Sequence, residues 1–112
     1  MNVNDKAIED YLESIRTDHA IHWSVQNSSR KEQIIDIFYN RVRAEEISDE
    51  KYIRIIVEGD AHSFIMTKDD KMFSAGDILK PKTKSLPDRK RGSFGNILTG
   101  GYKVKWTGVS NG

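Results

Sequence analysis

Apolar residues Ile8, Tyr11, Leu12 and Ile15 recur at the three- and four-residue spacing of one helix face. Asn4 stands where an N-cap belongs, and Asp5, Glu9 and Asp10 lie near the positive end of the helix dipole, so a short amphipathic helix is predicted here. The stretch from Thr17 to Asn27 shows no clear period and reads as a connection anchored by His19, His22 and Trp23. Ser29-Arg30-Lys31-Glu32 spells a capping box, and a second helix is predicted from it to about Glu46. Ile34, Ile35, Ile37, Phe38 and Val42 give that helix a wider apolar face than one supporting surface requires. It is therefore either central to the core or shared with a second subunit.

From Lys51 the pattern changes. Tyr52-Ile53-Arg54-Ile55-Ile56-Val57 is rich in branched and aromatic residues, and Glu58-Gly59-Asp60 turns it into a hairpin with residues 61–67. Lys68-Asp69-Asp70-Lys71 and Ala75-Gly76-Asp77 read as turns around a short extended Met72-Phe73, and Ile78-Leu79-Lys80 as a third strand ended by Pro81. Residues 81–95 hold Pro81, Pro87, Gly92 and Gly95 and are predicted to form a long loop. Tyr102, Val104 and Trp106 alternate with Lys103, Lys105 and Thr107, which predicts a last strand with one face on the sheet and its lysines in water. The expected class is α+β: one domain over residues 1–112, with two N-terminal helices (about 5–46) packed on a small, bent antiparallel sheet (about 51–107).

Composition sharpens this. With 112 residues and 37% apolar content the chain supports one modest core. No apolar run reaches the roughly 18 residues of a membrane span, and Met1 to Lys6 has no signal-peptide core, so a cytoplasmic protein without membrane contact is expected. Cysteine is absent, which removes disulfides, thiolate metal sites and cysteine nucleophiles. The net charge of +1 hides a division along the chain. Residues 1–79 carry ten Lys/Arg against sixteen Asp/Glu, net −6, whereas residues 80–112 carry eight against the single Asp88, net +7. Either the acidic helices cover the basic strands and the field cancels, or a one-signed face is left to attract an anion.

The candidate chemistry follows that charge. His19, His22 and His62 stand at no metal-ligand spacing, and Asp69, Asp70 and Asp77 read as turn residues, so neither a metal nor a cofactor is expected. No phosphate loop, nucleophile elbow, metalloprotease helix or dinucleotide fingerprint occurs, and an enzyme is not expected. Arg89-Lys90-Arg91-Gly92-Ser93-Phe94-Gly95-Asn96 does combine guanidinium forks, glycines, a hydroxyl, an aromatic ring and an amide. In a nucleotide site Arg89 and Arg91 would hold phosphate, Phe94 would stack on a base and Asn96 would read a base or ribose edge.

Lys51-Tyr52-Ile53-Arg54-Ile55, His62-Ser63-Phe64-Ile65, Gly76-Asp77-Ile78-Leu79-Lys80-Pro81 and Arg91-Gly92 with Asn96-Ile97 together resemble a group of small proteins encoded by bacterial viruses. The likeness covers residues 51–98. It departs from the group where Ser93-Phe94-Gly95 opens the Arg-Gly-Asn run and where a tryptophan is missing from the preceding loop. Within the group the chain is similar to anti-Thoeris sponge proteins, which sequester cyclic ADP-ribose-type signals and, in some members, cyclic oligonucleotides. That similarity implies a phage counter-defence protein of the host cytoplasm that encloses a small anionic nucleotide without cleaving it. It also implies a homo-oligomer with pockets between subunits, and it adds Arg54 and His62 to the expected ligand contacts.

Two other functions fit the same residues. In a nucleic-acid-binding accessory protein, Lys80 to Arg91 would neutralise backbone phosphates while Phe94 or Trp106 stacks on bases. In a virion or host-protein-binding module, the basic strip would meet an acidic partner.

Overall fold

The computed structural model describes residues 5–46 and 51–109. It is an α+β fold with its helices N-terminal: α1 (Asp5–Ser24) and α2 (Lys31–Tyr39) precede a four-stranded antiparallel sheet of β1 (Val42–Glu46), β2 (Tyr52–Val57), β3 (Asp60–Met66) and β4 (Ile78–Leu79). Two small ladders follow, β5 (Gly95–Asn96) with β6 (Gly101–Tyr102) and β7 (Val104–Lys105) with β8 (Gly108–Val109). No described helix is long and apolar enough to cross a membrane.

The β2–β3 hairpin forms as its pattern predicts. Glu58 and Gly59 both take positive φ, which matches the turn to the strand twist. The register shifts between Ile55 and Ile56, so Ser63 faces Ile55, Ala61 faces Ile56, and His62 is the extra residue of a bulge. Alternation along the strands then separates two apolar clusters. Ile53, Ile55, Val57 and Ile65 pack with Tyr11, Leu12 and Ile15 of α1 and Phe38 of α2. Tyr52, Phe64, Met66, Phe73 and Leu79 form the second cluster on the other face. Each fully buried side chain, such as Ile15 or Ile65, contributes about 1.5–3 kcal/mol of transfer free energy.

The helix boundaries differ from expectation. α1 continues through the supposed connection to Ser24, because His19 extends the stripe of Ile8, Leu12 and Ile15 and is buried with it. Its ring stacks on Phe38, with centroids 3.6 Å apart and an 8° interplanar angle. α2 stops at Tyr39, and Val42, read as its continuation, opens β1. Val42 sits four residues after Phe38 and so imitates a helical repeat, but it stands opposite Val57 in the sheet. The broad apolar face is divided accordingly: Phe38 is buried, Ile34 and Ile35 are half-buried and Ile37 is exposed. The capping box does not form; Arg30 precedes α2 without a side-chain cap, and Ser28 Oγ accepts from Arg30 N–H instead. The Asn4 cap lies outside the described residues.

The last predicted strand is broken in two and joins no main-sheet strand, because β6 and β7 pair only with short neighbours. Its alternation nonetheless holds. Tyr102, Val104 and Trp106 pack on the first cluster, while Lys103, Lys105 and Thr107 are exposed.

Candidate functional site

The basic segment is not a free loop. Pro81 and Pro87 bridge, the Thr83 hydroxyl accepts from Ser85 and Leu86 N–H, and Asp88 N–H donates to the Lys80 carbonyl at 2.7 Å. A 3₁₀ turn, Arg89–Arg91, follows, with the Asp88 side chain accepting from Lys90 N–H. Arg54 on β2 donates to the Lys84 carbonyl at 2.7 Å and pairs with Glu45. Through these bonds the segment is tied over the second apolar cluster.

Arg89 completes the tie. It donates to Asp70 Oδ2 at 2.6 Å and to the Tyr52 hydroxyl at 2.8 Å, and its guanidinium lies 4.8 Å from the Phe73 ring centroid. Asp70 also accepts from Met72 and Phe73 N–H, each at 2.8 Å. Those amides first, and Arg89 next, hold its carboxyl well below the usual carboxylate range. Asp69 likewise accepts from Ala75 N–H, so both aspartates do the turn work their positions suggest. Arg91 pairs with Asp88 at 3.3 Å.

The other loop candidates are also engaged. Asn96 donates to the Ala75 carbonyl and to Asp77 Oδ1, while its Oδ1 accepts from Leu98 and Thr99 N–H. Gly76 is required by this contact, since a Cβ there would lie 2.7 Å from the Asn96 amide oxygen. Gly95 is required by its neighbour strand, because a Cβ there would run into the Gly101 carbonyl. Phe94 packs on the first cluster, with the Lys80 ammonium 5.0 Å from its ring centroid. Arg54, Arg89 and Asn96 are therefore committed to the protein's own groups, and Arg91, its side chain 61% exposed beside Asp88, does not converge with them on one open pocket.

His62 is placed differently. Its Nε2 lies 2.8 Å from the Lys105 carbonyl, which can only accept, so Nε2 carries the proton. Burial holds the ring pKa below its ordinary value, opposed in part by that bond, and in the neutral ring Nδ1 accepts from Ser63 Oγ at 2.9 Å. Ser63 in turn accepts from the Tyr11 hydroxyl at 2.7 Å. Burial keeps that phenol well above the usual tyrosine range. Ser63 and His62 mimic a nucleophile and its base, but Ser63 is fully buried and both its hydrogen-bonding roles are used. The chain of bonds fastens α1, β3 and the β7–β8 ladder together.

Beside this chain lies a cleft of about 420 Å³, lined by His62, Lys80, Pro81, Lys105, Thr107 and Val109 among others. The β3–β4 register, continued past Leu79, sets Lys80 and Pro81 beside Ser63 and His62. The His62–Lys105 bond seats the second lysine. Among the described residues, ion pairs engage Arg16, Arg43, Arg54, Arg89 and Arg91, and neither Lys80 nor Lys105 has a carboxylate partner. The sequence puts Lys80 at the head of the stretch expected to meet phosphates and Lys105 on the solvent face of the last strand, and does not join the two. No local pattern could, because their approach depends on strand register and on the seating of β7.

No protein-family model, curated protein or solved structure matches the chain.

Proposed function

We propose that this protein binds a small phosphate-bearing nucleotide in the cleft between Lys80 and Lys105 and holds it without cleaving it, as a phage sponge for an immune signal would. The observation that carries this reading is the pair of lysines without carboxylate partners beside the buried His62 edge. A volume of about 420 Å³ lies within the range of about 300–1,000 Å³ usual for small-ligand sites. Two ammonium groups suit a divalent phosphate. The ligand class itself, cyclic ADP-ribose isomers or cyclic oligonucleotides, rests on the resemblance of residues 51–98 to the sponge proteins. In this reading Arg89 and Arg54 build the site's support instead of touching ligand.

A second reading, nucleic-acid binding, is favoured by the exposed Lys82, Lys84, Lys90 and Lys103, none of which has an ion pair among the described residues. Salt separates the two, since polyelectrolyte binding weakens steeply with added salt and an enclosed nucleotide loses little. The test is a thermal-shift panel of cyclic ADP-ribose isomers, cyclic dinucleotides and cyclic trinucleotides at low and high salt. A nucleotide at 100 times its Kd adds about 2.7 kcal/mol and moves the midpoint by several degrees. A salt-tolerant shift with one of them is expected. No shift with any, together with salt-sensitive retention of DNA, would replace the sponge by the nucleic-acid reading.

A further inference from the structure

The sheet order leaves β1 on an outer edge. Which of its backbone groups face outward follows from two bonds. Glu58 N–H donates to the Arg41 carbonyl, and the β1–β2 register, continued one residue past Val42, sets those two residues opposite each other. In an antiparallel ladder bonded pairs alternate, so Arg43 and Glu45 spend their backbone groups on β2 while Val42, Ala44 and Glu46 turn theirs outward. The β2–β3 ladder gives the same answer: Thr67 N–H donates to the Lys51 carbonyl, which turns Arg54 and Ile56 toward β1. Among the described residues only Arg16 reaches this edge, donating to the Val42 carbonyl at 2.9 Å. Ala44 is exposed.

Sheets commonly guard such an edge with lysine, proline, a bulge or a covering loop. β1 has neither lysine nor proline, and its register with β2 is unbroken. Its sequence, Val42-Arg43-Ala44-Glu45-Glu46, is instead complementary to itself. We propose that β1 is a homodimer interface, in which two copies pair antiparallel about a two-fold axis through Ala44 to give one continuous eight-stranded sheet. The axis puts Ala44 opposite the partner's Ala44, where the two residues exchange both N–H···O bonds. Arg43 then stands directly opposite the partner's Glu45, and Glu45 opposite the partner's Arg43, a cross-strand arrangement of unlike charges that favours pairing. Within one chain Arg43 already meets Glu45 at 2.8 Å, and its side chain is 60% exposed, free to turn to the second copy.

Other registers fail on the same facts. An axis through Arg43 or Glu45 would set that residue directly opposite its own copy in a non-hydrogen-bonded pair, where side chains stand closest, and so oppose like charges. An axis through Val42 would bring both Arg16 guanidiniums, each bound to a Val42 carbonyl, to its centre, whereas the Ala44 axis meets them only at the two ends of the ladder, where Val42 faces the partner's Glu46. The methyl side chain of Ala44 lets the backbones approach at the centre. None of this depends on what the cleft binds.

The chain has no cysteine, so Ala44→Cys introduces a single thiol on the axis. Bonded antiparallel partners stand about 5.5 Å apart at Cα, inside the range of about 4.4–6.8 Å that a disulfide spans. The full chain should sediment as a species of twice its own mass, and Ala44→Cys should convert to a covalent dimer under mild oxidation, whereas the exposed control Lys103→Cys should not. Ala44→Pro removes the N–H on the axis at an edge position that tolerates proline, and should sediment as a single chain with its circular dichroism unchanged. Sedimentation of the natural chain as a monomer at all concentrations overturns the interface. So does a dimer whose Ala44→Cys form cross-links no faster than the control, whatever Ala44→Pro does to the fold.

Discussion

Two basic regions of this molecule look alike in composition and behave oppositely. Around Arg89, the guanidinium is held by Asp70 and Tyr52 and lies on Phe73, on the outer face of the β2–β3 hairpin. Around His62, Lys80 and Lys105 flank a cleft with no carboxylate to neutralise them among the described residues. The fork of arginine suits carboxylates and carbonyls within the protein, so it becomes a fastener. The ammonium of lysine is a solvated point charge that stays in reserve. A run of cations is thus not yet a binding site; what matters is which of them the fold leaves unmatched.

The sharpest way to break that contrast is to remove the unmatched charges. Lys80→Ala with Lys105→Ala should weaken binding of a responsive cyclic nucleotide by about a hundredfold or more, since hydrogen bonds to charged groups contribute about 1.5–3 kcal/mol each. The melting temperature should barely change, because neither lysine has an ion pair to lose among the described residues. Calorimetric titration checks the first statement and thermal melting the second.

Arg89→Ala should do the reverse. Loss of its bonds to Asp70 and Tyr52 should cost about 2 kcal/mol of stability, read by urea denaturation, and leave nucleotide affinity of the folded protein within about twofold. A fall in affinity with unchanged stability would instead return Arg89 to the site.

Acid sharpens the contrast from another side. His19 and His62 are both buried and held below the ordinary histidine pKa. The unfolded chain therefore takes up protons first as pH falls below about 6.5, and stability should fall from there toward the folded-state pKa values. Melting curves at pH 7.5, 6.5 and 5.5, roughly one step either side of the free histidine pKa, measure it. The smallest effect expected is a gain. His19 Nδ1 is buried without a hydrogen-bond partner among the described residues, so His19→Phe should keep the stack on Phe38, raise the melting temperature slightly and flatten the acid slope.

Legibility followed the range of the interactions. The β2–β3 hairpin and the turns at Asp69 and Asp70 were readable because their determinants sit within a few residues of one another. The end of α2 was not, since Val42 satisfies both a helical repeat after Phe38 and a strand opposite Val57, and only the sheet decides between them. The same holds for His19, polar by type yet part of a buried stripe. At the candidate site the acidic partner of Arg89 lies nineteen residues away in a turn, and Lys105 lies forty-three residues from His62. The charge division between residues 1–79 and 80–112 was visible in the sequence, but which cations it left unmatched was settled by tertiary packing.

The most direct test sets the two regions side by side: calorimetric titration of the cyclic nucleotide that shifts the natural chain's melting into Lys80→Ala/Lys105→Ala and into Arg89→Ala/Arg91→Ala, both well below their melting temperatures. Loss of binding in the lysine variant with near-natural affinity in the arginine variant is the predicted result. Full affinity without the lysines, or binding abolished only without the arginines, would contradict it.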